Sequence, residues 1–189
     1  MKGKIIILSA PSGTGKSTII SRLIKDEGLR LGFSVSATSR KPRGQEQDGK
    51  DYFFLSEEEF QRRVDNNEFV EWEEVYAGTR YGTLESEVER VTSTGHNLIM
   101  DVDVKGALNI KKRFGDEAIS IFVMPPSMAV LEQRLRDRGT DSEETIAKRL
   151  AKAEYEMSFS EKFDTVVVND SLDEAVSEVD EKIRRFAGL

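Results

Sequence analysis

Cysteine is absent from the 189-residue chain, and histidine occurs once, at His96. Those gaps exclude disulfide scaffolding, a thiol nucleophile and any cysteine-ligated metal centre. Missing too is any stretch near the ~18 apolar residues that a membrane span requires. At the start, Met1-Lys2-Gly3-Lys4 precedes only four apolar residues, too few for the central region of a signal peptide. The expectation is therefore a cytoplasmic chain away from membranes. Prolines are few (four), and they fall with the glycines between periodic segments, without repeats or low-complexity tracts. Positive charge is in deficit, 28 Lys and Arg against 35 Asp and Glu, for a net charge of −7. A polymeric nucleic acid is an unsuitable partner for such a chain, because that binding rests on neutralising many phosphates. The basic charge that exists is concentrated. Arg40, Lys41 and Arg43 form one knot, and Arg134, Arg136, Arg138 and Arg149 another. Islands of this kind suit a small anionic ligand, or else are solvated arginines on helix faces.

Residues 5–8 form a continuous apolar run that ends at a Gly/Pro loop, the pattern of a strand buried on both faces. Similar strands are expected at 98–100, 119–124 and 166–168. Helical periodicity follows at 16–26, 105–114, 128–138 and 172–186. Strands alternating with helices imply right-handed βαβ units and a mostly parallel sheet covered by helices. Two excursions interrupt this α/β core. Segment 36–84 reads as an inserted mixed α/β lobe, with strand-like stretches at 33–36, 52–55 and 69–75 around a helix at 56–66 capped by Ser56. Segment 126–156 is helical and arginine-rich; Ser127 is placed to cap its first helix, Gly139 to stop it, and Asp141 or Ser142 to start the second. The core is then 1–35, 85–125 and 157–189.

Between the first strand and the first helix stands Ala10-Pro11-Ser12-Gly13-Thr14-Gly15-Lys16-Ser17. Glycines let backbone N–H groups converge on a phosphate, and the helix N-terminus adds its positive dipole end. Lys16 can reach β- and γ-phosphates, and the Ser17 hydroxyl can ligate Mg²⁺. Ala10 departs from the usual first glycine, but Gly13, Gly15, Lys16 and Ser17 stand in the required strand–loop–helix setting. A P-loop that binds a nucleoside triphosphate is the expectation. Asp101, closing a later apolar strand, is a candidate to assist Mg²⁺; capping the following helix is its alternative role.

Further motifs follow in order: SVSATSRKPR from Ser34, GKDY ending at Tyr52, EFVEW from Glu68, RYGT ending at Thr83, and DVDVKGA from Asp101. With RLRDRGT and KRL, this series resembles the guanylate kinases across essentially the whole chain. The resemblance implies a P-loop nucleoside monophosphate kinase that transfers the γ-phosphoryl group of ATP to GMP, and to dGMP as well, with Mg²⁺. It implies that Arg40, Arg43, Tyr52 and Tyr81 hold the monophosphate, and that Ser36, Glu71, Thr83 and Asp103 read the base. Lys16, Arg134, Arg138 and Arg149 would act on the transferring group from loop and lid, and Asn169 would lie near the adenine of ATP. Arg136 has no counterpart in the pattern and is expected to be solvated.

Residue chemistry agrees with this. Guanidinium forks match a terminal phosphate. A carboxylate such as Glu71 accepts from guanine N1–H and N2, while Ser36 and Thr83 can donate to O6, and adenine would leave the carboxylate unpaired. Two alternatives stay open on the sequence: a noncatalytic guanylate-kinase-like interaction module, and a related kinase acting on another phosphate ester.

Overall fold

The computed structural model describes residues 2–76, 78–137, 139 and 141–189. Its first sheet is all-parallel, in the order β2-β7-β1-β8-β9. The strands are β1 (Ile5–Ser9), β2 (Leu31–Phe33), β7 (Asn97–Asp101), β8 (Ala118–Met124) and β9 (Thr165–Val168). Alternation along β1 divides the core. Ile6 and Leu8 pack with Ile19, Ile20 and Leu23 of α1 (Lys16–Leu23) and with Ala175, Val179 and Ile183 of α7 (Leu172–Ala187). Ile5 and Ile7 pack on the other face with Val88 and Val91 of α3 (Glu85–Thr92) and with Val104, Ala107 and Ile110 of α4 (Val104–Phe114). Burial on both faces explains why these strands are predominantly apolar rather than alternating.

The second sheet, in the order β4-β3-β6-β5, is mixed. It comprises β3 (Ala37–Thr38), β4 (Phe53–Phe54), β5 (Phe69–Tyr76) and β6 (Thr79–Leu84). Against it lies α2 (Glu57–Asp65), whose Phe60 is fully buried and stacks on Phe69 with ring centroids 4.5 Å apart. Burying one such side chain contributes roughly 1.5–3 kcal/mol. Ser56 caps α2 as expected, its Oγ accepting from the Glu59 amide at 3.1 Å.

The third unit pairs α5 (Met128–Asp137) with α6 (Glu143–Met157) through Leu131, Leu135, Ile146 and Ala153. Ser127 accepts from the Val130 amide, and Ser142, rather than Asp141, caps α6.

Two expectations need correction. The strand placed at 33–36 is split: β2 ends at Phe33 on the edge of the parallel sheet, and the other sheet begins at Ala37. The first helix stops at Leu23, and a 3₁₀ turn follows because the Asp26 carboxylate takes the Gly28 amide. Arg136 is exposed, as expected, and pairs with Glu132 and Glu143 at the surface. His96 is exposed. Among the described residues, no helix is long and apolar enough to cross a membrane.

Candidate functional site

The carboxyl ends of β1, β7, β8 and β9 open on one side of the parallel sheet, where ligands of open α/β folds bind. After β1 the chain turns through Gly13 and Gly15, both with positive φ (+94° and +98°), before entering α1. Space also requires these glycines. A Cβ on Gly15 would sit 2.6 Å from Asn169 Nδ2, and one on Gly13 would sit 2.8 Å from Leu135 Cδ2. The loop, with Asp101, Asp103, Lys152 and Glu156, lines a cavity of about 390 Å³. There Lys16 Nζ lies 2.5 Å from Asp101 Oδ1 and donates to the Val102 carbonyl at 3.4 Å. Ser17 lines the same cavity.

A second cavity, of about 240 Å³, shares Asp101 and Asp103 with the first and is walled by Ser36, Tyr52, Glu71, Glu73, Tyr81 and Thr83. At one end the Thr83 hydroxyl donates to Glu71 Oε1 at 2.8 Å. Its proton being spent there, Ser36 is the hydroxyl left to donate to a ligand. Ser36 is fixed from both sides: its carbonyl accepts from Phe53 and the preceding Val35 amide donates to Glu87. Burial pushes the Glu71 carboxyl above the usual range, against the pull of Thr83. Asp103 caps α4 through the Gly106 amide at 2.8 Å, and Glu73 lines the same cavity wall. Asp103 beside it, with burial, raises the Glu73 carboxyl to about 7, while Asp103 is held low against its own burial by Glu73 and the Gly106 amide.

At the other end stands Arg40. Its Nε donates to the Tyr81 hydroxyl at 3.0 Å, and its guanidinium lies 4.9 Å from the Tyr52 ring centre. Both outer nitrogens donate to Glu46, at 2.7 and 2.8 Å, and the Arg43 amide does so at 2.7 Å. Arg40 therefore holds a bidentate anion already, and Glu46 is drawn down to about 2, chiefly by that hydrogen bond. Among the described residues the Arg43 guanidinium makes no hydrogen bond.

A family profile described as Guanylate kinase matches residues 2–186. The chain is 56% identical over 183 residues to the guanylate kinase of Porphyromonas gingivalis, covering 97% of both chains. It is 55% identical over 186 residues to that of Bacteroides thetaiotaomicron, covering 98% of this chain and 91% of the relative. The crystal structure of guanylate kinase from Anaplasma phagocytophilum superposes with a TM-score of 0.74 at 32% identity, covering 98% of this chain and 87% of that one. The chain belongs to the guanylate kinase family.

Within this guanylate kinase fold the remaining candidates lie on the donor side. Asn169 Nδ2 donates to the Thr14 carbonyl at 2.6 Å, and the buried Oδ1 has no partner among the described residues. Asn169, Asp170 and Arg134 line a pocket with Gly13, Gly15 and Leu172. Arg134 spends its fork on the Asn169 and Asp170 carbonyls, at 2.9 and 3.3 Å, which places it beside this pocket. Arg149 reaches the loop itself, donating to Ser12 Oγ at 2.8 Å, with Asp141 behind it at 3.3 Å. Arg138 lies outside the described residues.

Sequence reasoning passed over Glu46, Glu73, Lys152 and Glu156. Two signals were available. Glu71 and Glu73 are two apart on a strand and so share a face, and Lys152 and Glu156 follow Arg149 at helical spacing.

Proposed function

We propose that this chain transfers the γ-phosphoryl group of ATP to GMP, giving ADP and GDP. The observation that carries this reading is the shared wall of Asp101 and Asp103, which sets a phosphate-loop cavity and a carboxylate-lined cavity side by side. Donor and acceptor phosphates brought together this way meet with most of the entropic cost of encounter already met by binding.

Segment 36–84 then serves as the acceptor lobe and 126–156 as the lid, with 1–35, 85–125 and 157–189 as the core. ATP phosphates are held by the amides of residues 10–17 and by Lys16, which leaves Asp101 for the incoming charge. The unpartnered Asn169 Oδ1 is an acceptor of fixed orientation, because Nδ2 is committed to Thr14; it suits the amino group of adenine. In the acceptor pocket Glu71, oriented by Thr83, accepts from guanine N1–H and N2, Ser36 donates to O6, and Asp103 adds a second acceptor. Arg40, Arg43, Tyr52 and Tyr81 hold the monophosphate, which takes the place of the Glu46 carboxylate on the Arg40 fork. Arg149 from α6 stabilises charge on the transferring group, with Lys16. Arg134 supports the donor pocket from α5, and Arg138 is proposed for the lid.

Ser17 and Asp101 are hard oxygen donors on one cavity wall and suit Mg²⁺, which they would hold; when bound, the ion neutralises charge on the donor phosphates. Acid–base chemistry has little to add, because the acceptor is already an anionic oxygen and alignment and charge stabilisation carry the step.

ADP formation from ATP–Mg²⁺ with GMP, AMP, CMP and UMP offered in turn tests the proposal. GMP is expected to exceed AMP in kcat/KM by about a hundredfold or more, since adenine leaves buried polar groups unpaired. Comparable rates on AMP and GMP would refute the base reading, and no turnover on any monophosphate would leave an interaction module.

A further inference from the structure

Glu73 has no part in the base or phosphate contacts assigned above, yet its carboxyl faces the acceptor cavity beside both. The register of the lobe's sheet fixes where. On β5 and β6, Glu71 lies opposite Thr83 and Glu73 lies opposite Tyr81. Thr83 is bonded to Glu71 at the base end, while Tyr81 is bonded to Arg40 at the phosphate end. Trp72, between the two glutamates, points to the other face, where it meets the Phe60 ring edge-on. Glu71 and Glu73 thus project into the cavity from one strand face, about 7 Å apart along the strand. That is the gap a furanose ring fills between a base and its 5′-phosphate. The neighbouring groups agree: Glu73 lines the acceptor cavity with Asp103 and also borders a smaller cavity with Lys105, Lys152 and Tyr155. Its carboxyl therefore opens where a ligand hydroxyl can reach it.

We infer that Glu73 reads the sugar of the acceptor nucleotide, accepting a hydrogen bond from a ribose hydroxyl and so favouring ribonucleotide over deoxyribonucleotide acceptors. The inference rests on the GMP reading above. It makes dGMP a poorer acceptor than the family resemblance by itself implies.

Steady-state kinetics of the full chain with GMP, 2′-deoxy-GMP and 3′-deoxy-GMP test it, in wild type, Glu73→Ala and Glu73→Gln. Wild type is expected to favour GMP over 2′-deoxy-GMP by about tenfold or more in kcat/KM, the scale of one hydrogen bond to a charged group; discrimination confined to 3′-deoxy-GMP overturns the inference. Glu73→Ala should bring that ratio to within about twofold, by raising KM for GMP and leaving kcat and the deoxy analogue little changed. Glu73→Gln keeps an oxygen acceptor and the shape of the side chain, so an intermediate ratio is expected even where the alanine variant folds poorly. A purely structural role would affect all three acceptors alike, so ratios unchanged from wild type in both variants overturn the inference. Failure of wild type to turn over GMP overturns the underlying reading with it; turnover of GMP without sugar discrimination overturns only the role of Glu73.

Discussion

Replacing Glu71 by glutamine should weaken the enzyme and strengthen the protein. Glu71 is a buried carboxyl whose Oε1 is taken by Thr83. Under the proposed binding mode it accepts two guanine N–H groups, and hydrogen bonds to a charged group contribute about 1.5–3 kcal/mol each. Taking the lower figure twice gives about 3 kcal/mol, or about a hundredfold in kcat/KM at ~1.4 kcal/mol per decade. The amide of Glu71→Gln also turns donors toward donors, which adds to the loss. KM for ATP should stay within about twofold, because Glu71 is not in the loop cavity. Stability should move the other way, and with a defined pH dependence. Burial raises the folded-state pKa of Glu71 above its unfolded value, so the folded protein retains a proton that the unfolded chain releases. Below about pH 4 the carboxyl is mostly neutral in both states and the substitution changes little. As pH rises through the folded pKa, wild type loses stability that the glutamine variant keeps, and the gap between their melting temperatures widens. Acceptor kinetics across the four monophosphates and thermal melts at pH 4 and pH 8 measure both halves. Unchanged GMP kinetics, or a variant less stable than wild type at pH 8, would refute the reasoning.

Three further outcomes are expected. Lys16→Ala should lower kcat by at least ~100-fold, the scale of one preorganised donor at a developing charge; near-normal turnover would remove the loop from the donor role. Asn169→Ala should raise KM for ATP by about tenfold and narrow the preference for ATP over GTP, since the oriented Oδ1 acceptor is lost; donor-panel kinetics decide it. Leu135→Ala, at a position of α5 buried against α6 and Gly13, should cost about 2–5 kcal/mol in urea denaturation.

Legibility from sequence followed burial. The parallel strands were readable because both their faces are covered, so 5–8 are apolar without interruption and 119–124 are apolar but for Ser120. By contrast β6, Thr-Arg-Tyr-Gly-Thr-Leu, escaped notice: Tyr81 and Thr83 line the second cavity, so its inward face is polar. The short acidic helix α3 was missed too, since Glu85 and Glu87 mask its buried Val88 and Val91. The phosphate loop was visible because its glycines answer local backbone demands. Arg40 was recognised, but its capture by Glu46 was not, because that contact depends on how the intervening loop folds back. Glu73 was hidden in a run of acidic residues that reads as a solvated edge, and only strand register reveals that it faces inward.

The contact of Leu135 and Leu131 with Gly13 has a consequence for how this sequence can evolve. Helix α5 rests its apolar stripe directly on the glycine turn between β1 and α1. Lineages can vary the outer surface of α5 and its charge pattern cheaply, but positions 13, 131 and 135 form one inherited unit. Any side chain added at 13 must be matched by volume removed from the helix, as well as tolerating a backbone angle that suits glycine. Substitutions there should enter natural sequences together or not at all.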